Sequence, residues 1–197
     1  MGASEIRAIL FMDVSGWSKL TSIEIKKYVQ TALPQLKPFV ANSDFHNTWG
    51  DAIVATYRSA IDAAKAALSI RDFFQRATAE EGVPAGLTCR IALHQGEILL
   101  CENALTGKMD IFGHGVHIAA RLEPATAPSQ IFCTPEFASS LAGVSGLGPK
   151  AWLLGPVKLP KEYGIVNASV VTHANVQEDP TPALKKYLHI AENDSAA

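Results

Sequence analysis

The segment IRAILFM, residues 6–12, is a short and mostly apolar run that ends on Asp13. A run of this length reads as a buried strand, so it delivers a carboxylate at its end. Residues 45–57, FHNTWGDAIVATY, set Gly50-Asp51 between two strand-like segments. Glycine accepts positive φ, so the pair suits a tight hairpin and Asp51 falls at the tip. Either aspartate alone reads as a turn or cap residue. As a pair on neighbouring strands they are the hard oxygen ligands that Mg²⁺ or Mn²⁺ prefers. Two such ions can clamp both the attacking and the leaving oxygen of a phosphoryl displacement.

Between these segments helix and strand patterns alternate. Residues 18–40 carry Leu20, Ile23, Tyr28, Leu33 and Leu36 and predict a helix whose second half is irregular, because Pro34 and Pro38 interrupt it. Ser59 with Asp62 three residues on is a helix-start signal, and Ile61, Ala64 and Leu68 continue at helical spacing towards Arg76. Residues 87–101, LTCRIALHQGEILLC, read as two strands meeting around Gln95-Gly96. Gly113 to Arg121 predicts a helix ending before Pro124, and SQIFCT, AWLLGPVKL and IVNASVV are further strands. The expected fold class is α+β, with one domain over residues 1–172. Residues 173–197 are polar and read as a tail, with at most a short helix near residues 183–190 docking back.

With 197 residues, the chain has room for one substantial core. At 48% hydrophobic and 18% charged, with 17 basic against 19 acidic residues, it is globular and has no basic field for nucleic acid. The apolar stretch before Asp13 is too short for a signal peptide or a membrane span, which makes a cytoplasmic location the expectation. Cys89, Cys101 and Cys133 are odd in number and widely spaced, and read as reduced residues in or near the core.

Four segments, FMDVSGWSKL, NTWGDAIVATY, RIALHQGEIL and DIFGHGVHIAARLE, stand in the order and at roughly the spacing of the motifs of class III adenylate and guanylate cyclases. The chain resembles that family over residues 6–123, with LLGPVKL as a weak extension. The resemblance implies a ferredoxin-like (βαββαβ-derived) domain, a mainly antiparallel mixed sheet with helices packed on it, in a head-to-tail homodimer. It makes Asp13 and Asp51 the ligands of two Mg²⁺ or Mn²⁺ ions per site, with the Val14 carbonyl as a further ligand. Gly16, Trp17 and Ser18 would offer backbone N–H groups and a helix start to a nucleoside triphosphate. Arg121 matches the family's transition-state arginine. The family's phosphate-binding lysine has two candidates, Lys158 and Lys161.

Two departures mark this chain. Where adenylate cyclases place a base-reading lysine stands Asn47, while the partner position keeps an acidic residue, Asp110. The pair fits neither the adenine nor the guanine pattern, and it favours a smaller base in UTP or CTP. Size and the lost lysine resemble the stand-alone pyrimidine cyclases of bacterial Pycsar anti-phage systems, whose cyclic product a separate effector protein reads. An adenylate or guanylate cyclase with relaxed base recognition stays open. The second departure is His117, where the family has an asparagine that orients the ribose. His117 could hydrogen-bond the ribose or shuttle a proton, whereas His114, three residues before it, reads as a packed or interface residue. Trp49 and Trp152 read as core or interface aromatics and His94 as structural. A degenerate domain that binds nucleotide without turnover is the rival reading. His117 favours it, and the two aspartates and Arg121 oppose it.

Overall fold

A computed structural model describes residues 4–142 and 148–189. Strand β1 (Ser4–Ser15) is buried continuously from Ala8 to Met12. It is covered on both faces, which is why its sequence does not alternate. It also outruns its apolar segment: Asp13 lies within the strand and not at its end, because the ladder with the next long strand continues to Ser15.

The chain then makes a 3₁₀ turn (Trp17–Lys19) before Thr21 caps α1 (Ser22–Lys27). The Thr21 hydroxyl accepts from the Glu24 N–H, and the Glu24 carboxylate accepts from the Thr21 N–H at 2.8 Å. This capping box sets the helix start at Ser22 and not at Ser18. A π turn (Tyr28–Ala32), α2 (Leu33–Leu36) and a 3₁₀ turn (Lys37–Val40) follow. The irregularity sets in ahead of Pro34, since proline has no N–H for the carbonyl four residues back and its ring crowds that turn.

Strands β2 (Phe45–Trp49) and β3 (Ala52–Tyr57) form the expected hairpin, with Gly50 at φ 69°. The next elements are α3 (Ala60–Arg76), capped by Ser59, and β4 (Thr88–Asn103). After these come β5 (Lys108–Phe112), α4 (His114–Leu122) and β6 (Ile131–Cys133). The order is completed by α5 (Pro135–Ala142), β7 (Lys150–Lys158) and β8 (Ile165–Thr172). The sheet runs β2-β3-β1-β4-β6-β8-β7, with β5 pairing β4 on the edge that β6 also uses. Among the described residues only β4–β6 is parallel. The part from β1 to β4 is a ferredoxin-like βαββαβ unit.

The expected break at Gln95-Gly96 does not exist. β4 is one strand of 16 residues, paired with β1 without interruption from Thr88 to Leu99. Gly96 serves packing. A Cβ there would lie 2.4 Å from His94 Nε2 and 3.4 Å from the Cα of Gly115 on α4. A strand glycine that admits another backbone looks, in sequence, like a turn glycine.

The π turn, α2, α3 and α5 cover one face, packing Tyr28, Leu36, Ile70 and Phe137 against Leu10 and Met12. Helix α4 covers the other, over Ile9, Phe11, Val54 and Ile98. A third cluster lies along β6 to β8 and includes Leu184 from a 3₁₀ segment (Thr181–Tyr187). That segment takes the place of the short helix expected at residues 183–190, of which Ile190 lies outside the described residues. The His189 N–H donates to the Pro156 carbonyl at 2.7 Å and ties this stretch to β7. Helix α5 had no counterpart in the sequence reading, although Thr134-Pro135-Glu136 is a helix-start signature.

Candidate active site

Backbone register alone brings the two aspartates together. The last β1–β3 pair is Met12 with Ile53, so continuing that ladder sets Val14 opposite Asp51. On its other side Val14 pairs with Cys89, whose carbonyl already accepts from the Ser129 N–H at 2.8 Å on the far edge of β4. Val14 and Cys89 are therefore a non-hydrogen-bonded pair, and the Val14 N–H and C=O turn towards Asp51. The Asp51 carboxylate accepts from the Val14 N–H and lies beside the Asp13 carboxyl. Partial burial raises the Asp51 pKa above the usual carboxylate range, and the charge of Asp13 pushes the same way.

The structure adds two residues that had no assigned role. Arg90, opposite Asp13 in the β1–β4 register, donates from Nη2 to Asp13 Oδ2 at 2.9 Å and from Nε to Glu123 Oε1 at 2.7 Å. Glu123 is only 4% exposed, just beyond α4. Burial pushes its carboxyl up to about 7 against the pull of Arg90, and the charges of Asp13 and Asp51 add to the rise. Arg90 thus bridges the strand of Asp13 to the end of α4. Both residues stood inside recognised segments, but the cross-strand register that gives them a role is invisible in sequence.

Gly16 takes φ 96° and opens the 3₁₀ turn, as a left-handed position requires. Trp17 and Ser18 have backbone N–H groups without partners inside that turn. The Trp17 ring meets Tyr28 edge-on at 5.1 Å. Tyr28 is 1% exposed and its hydroxyl has no partner among the described residues.

The other candidates lie apart. Asn47 is exposed on the edge strand β2, its Oδ1 accepting from the Thr48 N–H at 2.9 Å. Asp110, on β5, accepts from Asn103 Nδ2 at 3.0 Å and from the Ile111 N–H at 2.8 Å. Three strands separate them in sheet order. His117 is exposed on α4 with no side-chain hydrogen bond among the described residues. Arg121 stands two residues before Glu123, roughly 200° around the helix. It turns from the carboxylates towards Tyr163, 5.9 Å from the ring centroid. His114 reaches the same tyrosine and is exposed, not packed in the core. Lys158 and Lys161 line one open groove of about 450 Å³ with Pro124 and Ala125.

His94 is buried and bonds Thr134 Oγ1 through Nδ1 at 2.8 Å, a structural role. Cys89 and Cys133 are buried and Cys101 is half-buried, all free thiols. Trp49 is 44% exposed and meets Phe11 edge-on, and Trp152 donates from Nε1 to Thr172 Oγ1 at 2.9 Å. Among the described residues no cluster of three or more His, Cys, Asp or Glu side chains is arranged for a metal, and no helix is long and apolar enough to cross a membrane.

Residues 3–150 match the family of the adenylate and guanylate cyclase catalytic domain, and the chain belongs to that family. It is a nucleotide cyclase catalytic domain. Solved structures agree on the fold. The guanylate cyclase domain of RhGC from Catenaria anguillulae, in complex with GTP, is 16% identical, with a TM-score of 0.72 over 87% of this chain and 98% of that one. The adenylyl cyclase CyaB from P. aeruginosa is 17% identical, with a TM-score of 0.67 over 90% and 98%. A rhodopsin-guanylyl cyclase core with converted specificity, in complex with ATPalphaS, is 16% identical, with a TM-score of 0.70 over 88% and 99%. No curated protein matches the chain.

Proposed function

We propose that this domain converts a nucleoside triphosphate, UTP or CTP by preference, to its 3′,5′-cyclic nucleotide and pyrophosphate. The observation that carries the reading is the facing pair of Asp13 and Asp51, with Arg90 on one oxygen of Asp13. Partial burial makes Asp51 hold its proton more tightly and repulsion from the Asp13 charge adds to it, and a divalent cation between the two carboxylates removes that repulsion. The donor set fits Mg²⁺ or Mn²⁺: Asp13, Asp51 and the Val14 carbonyl are all hard oxygens. Bound there, such ions would lower the pKa of the ribose 3′-hydroxyl and neutralise the triphosphate. Arg90, free to exchange Asp13 for phosphate, would add positive charge. The N–H groups around Gly16, Trp17 and Ser18 would face the triphosphate, and the 3′-oxygen would displace pyrophosphate at the α-phosphorus.

Arg121 lies on the side of α4 away from its own carboxylate pair. In this reading a second copy supplies it, which would make the working site shared in a head-to-tail homodimer. His117 of that copy would meet the ribose. Asn47 and Asp110 would read the base, and the missing lysine is what favours a pyrimidine. A separate effector that senses the product, as in anti-phage signalling, fits a cyclase of this kind.

The test is to incubate the purified protein and Mn²⁺ with each of the four ribonucleoside triphosphates and weigh the products. cUMP or cCMP in excess supports the full reading, and cAMP or cGMP alone would remove the pyrimidine part. Asp51→Ala should lose the activity and keep its melting temperature, and an active Asp51→Ala protein would refute the metal assignment.

A further inference from the structure

We infer that Tyr163, on the connection between β7 and β8, is the positioning residue that orients Arg121 for catalysis. The inference rests on the cyclase reading, in which Arg121 meets the α-phosphoryl group. Arg121 and His114 are seven residues apart on α4, two helical turns, so both project from one stripe of its surface. Tyr163 spans that stripe. Its hydroxyl lies 3.0 Å from His114 Nδ1, the two rings stack at 5.8 Å, and the Arg121 guanidinium sits 5.9 Å from the tyrosine centroid. No ion pair holds Arg121 among the described residues, so the aromatic face is its contact on this side of the helix.

That contact suits an arginine that must stay available. A carboxylate partner would compete with the phosphate and would have to be left behind at each turnover. An aromatic face restricts the rotamers of the guanidinium while leaving all of its N–H donors free in the plane of the group. The hydroxyl bond to His114 fixes the ring at its far end. The ring itself is half-buried against the cluster along β6 to β8, which keeps it in place beside Arg121.

The same loop carries Lys161, and Lys158 ends the strand that leads into it. Lys161 and Glu162 take φ of 58° and 56°, and Gly164 takes 94°, so the chain around Tyr163 is tightly coiled. The Leu159 N–H closes this turn on the Gly164 carbonyl at 2.9 Å. A single clamp at Tyr163 therefore sets both Arg121 and the loop that bears Lys161 against α4.

Kinetics of the metal-loaded enzyme with its best triphosphate test this. Tyr163→Leu should lower kcat about tenfold or more while moving KM less than about threefold, since a misplaced transition-state group affects the chemical step. Tyr163→Phe, which keeps the ring under Arg121, should stay within about threefold of the unmodified enzyme. In an Arg121→Ala background the Tyr163→Leu change should cost nothing more, because its only route is through Arg121. An unaffected kcat in Tyr163→Leu, or losses that add fully in the double variant, would overturn the inference. If Tyr163→Leu does not fold, the Arg121 side-chain Nε–Hε resonance of the unmodified protein decides. An upfield ring-current shift supports the clamp, and a random-coil position overturns it. A protein that makes no cyclic product from any triphosphate refutes the cyclase reading itself, and this inference with it, whereas product with an indifferent Tyr163 refutes the positioning alone.

Discussion

Gly115→Ala tests how closely the sheet controls α4. Gly115 lies in the first turn of the helix, where alanine would ordinarily be favoured over glycine by up to about 1 kcal/mol. Its backbone is ordinary helix, so the effect of a Cβ is steric. That carbon would stand 2.9 Å from the Glu97 carbonyl oxygen and 2.9 Å from Ile9 Cδ1, about 0.5 Å inside an unstrained contact. The strand cannot give way, because β4 is laddered to β1 at Glu97 and Ile9 is fully buried. The helix must move by about that amount. Overpacking of this kind costs about 1–3 kcal/mol, which against a gain in helix preference of up to about 1 kcal/mol leaves a net loss of up to about 2 kcal/mol. For a chain of this size that is a fall in Tm of up to about 8 °C. Arg121 rides on the same helix, and a displacement of this order at a catalytic group lowers kcat by about one to two orders of magnitude. Thermal denaturation followed by circular dichroism and a cyclase assay measure the two effects. A Tm that is unchanged or raised, with full activity, would show that α4 is not held at contact distance.

The remaining expectations are more local. Glu123 has its pKa raised to about 7 from a reference of 4.5, so the native state binds its proton more tightly than the unfolded chain does. Stability should therefore fall as pH rises from about 5 to 7 and then level off, and Glu123→Gln should flatten that slope; an unaltered Tm–pH curve in the variant would exclude Glu123 as its source. Inactive Asp51→Ala and Arg121→Ala chains, mixed and allowed to exchange, should regain activity through one intact site per heterodimer, and no recovery would count against a shared site. Leu184→Ala removes a side chain that is 9% exposed in the cluster along β7 and β8, and should lower Tm by about 4–12 °C at about 2–3 kcal/mol. A melt equal to that of the unmodified protein would mean that this segment contributes nothing to stability.

The hairpin at Gly50-Asp51, the helix capped by Ser59 and the buried strand through Met12 were all legible, because each is dictated within a few residues by turn chemistry, a cap or an apolar run. The continuity of β4 was not. Gly96 looks like a turn to its neighbours in the chain, and only the folded strand shows a side chain excluded there by the buried His94 ring at 2.4 Å and by the Cα of Gly115, 19 positions away, at 3.4 Å. The start of α1 was misplaced because the apolar periodicity outweighed the Thr21 to Glu24 box.

For the site, the resemblance of four segments to the motifs of class III cyclases was enough to suggest a nucleotide cyclase and to single out Asp13, Asp51 and Arg121, since residue identity is local information. Tertiary structure decided who meets whom. It set Val14 and Asp51 at opposing positions, gave Arg90 to Asp13 and Glu123, and turned Arg121 away from its own carboxylates onto Tyr163. Those relations depend on strand register and on the 100° advance of a helix per residue, which place residues tens of positions apart within 3 Å and neighbours two apart on opposite sides.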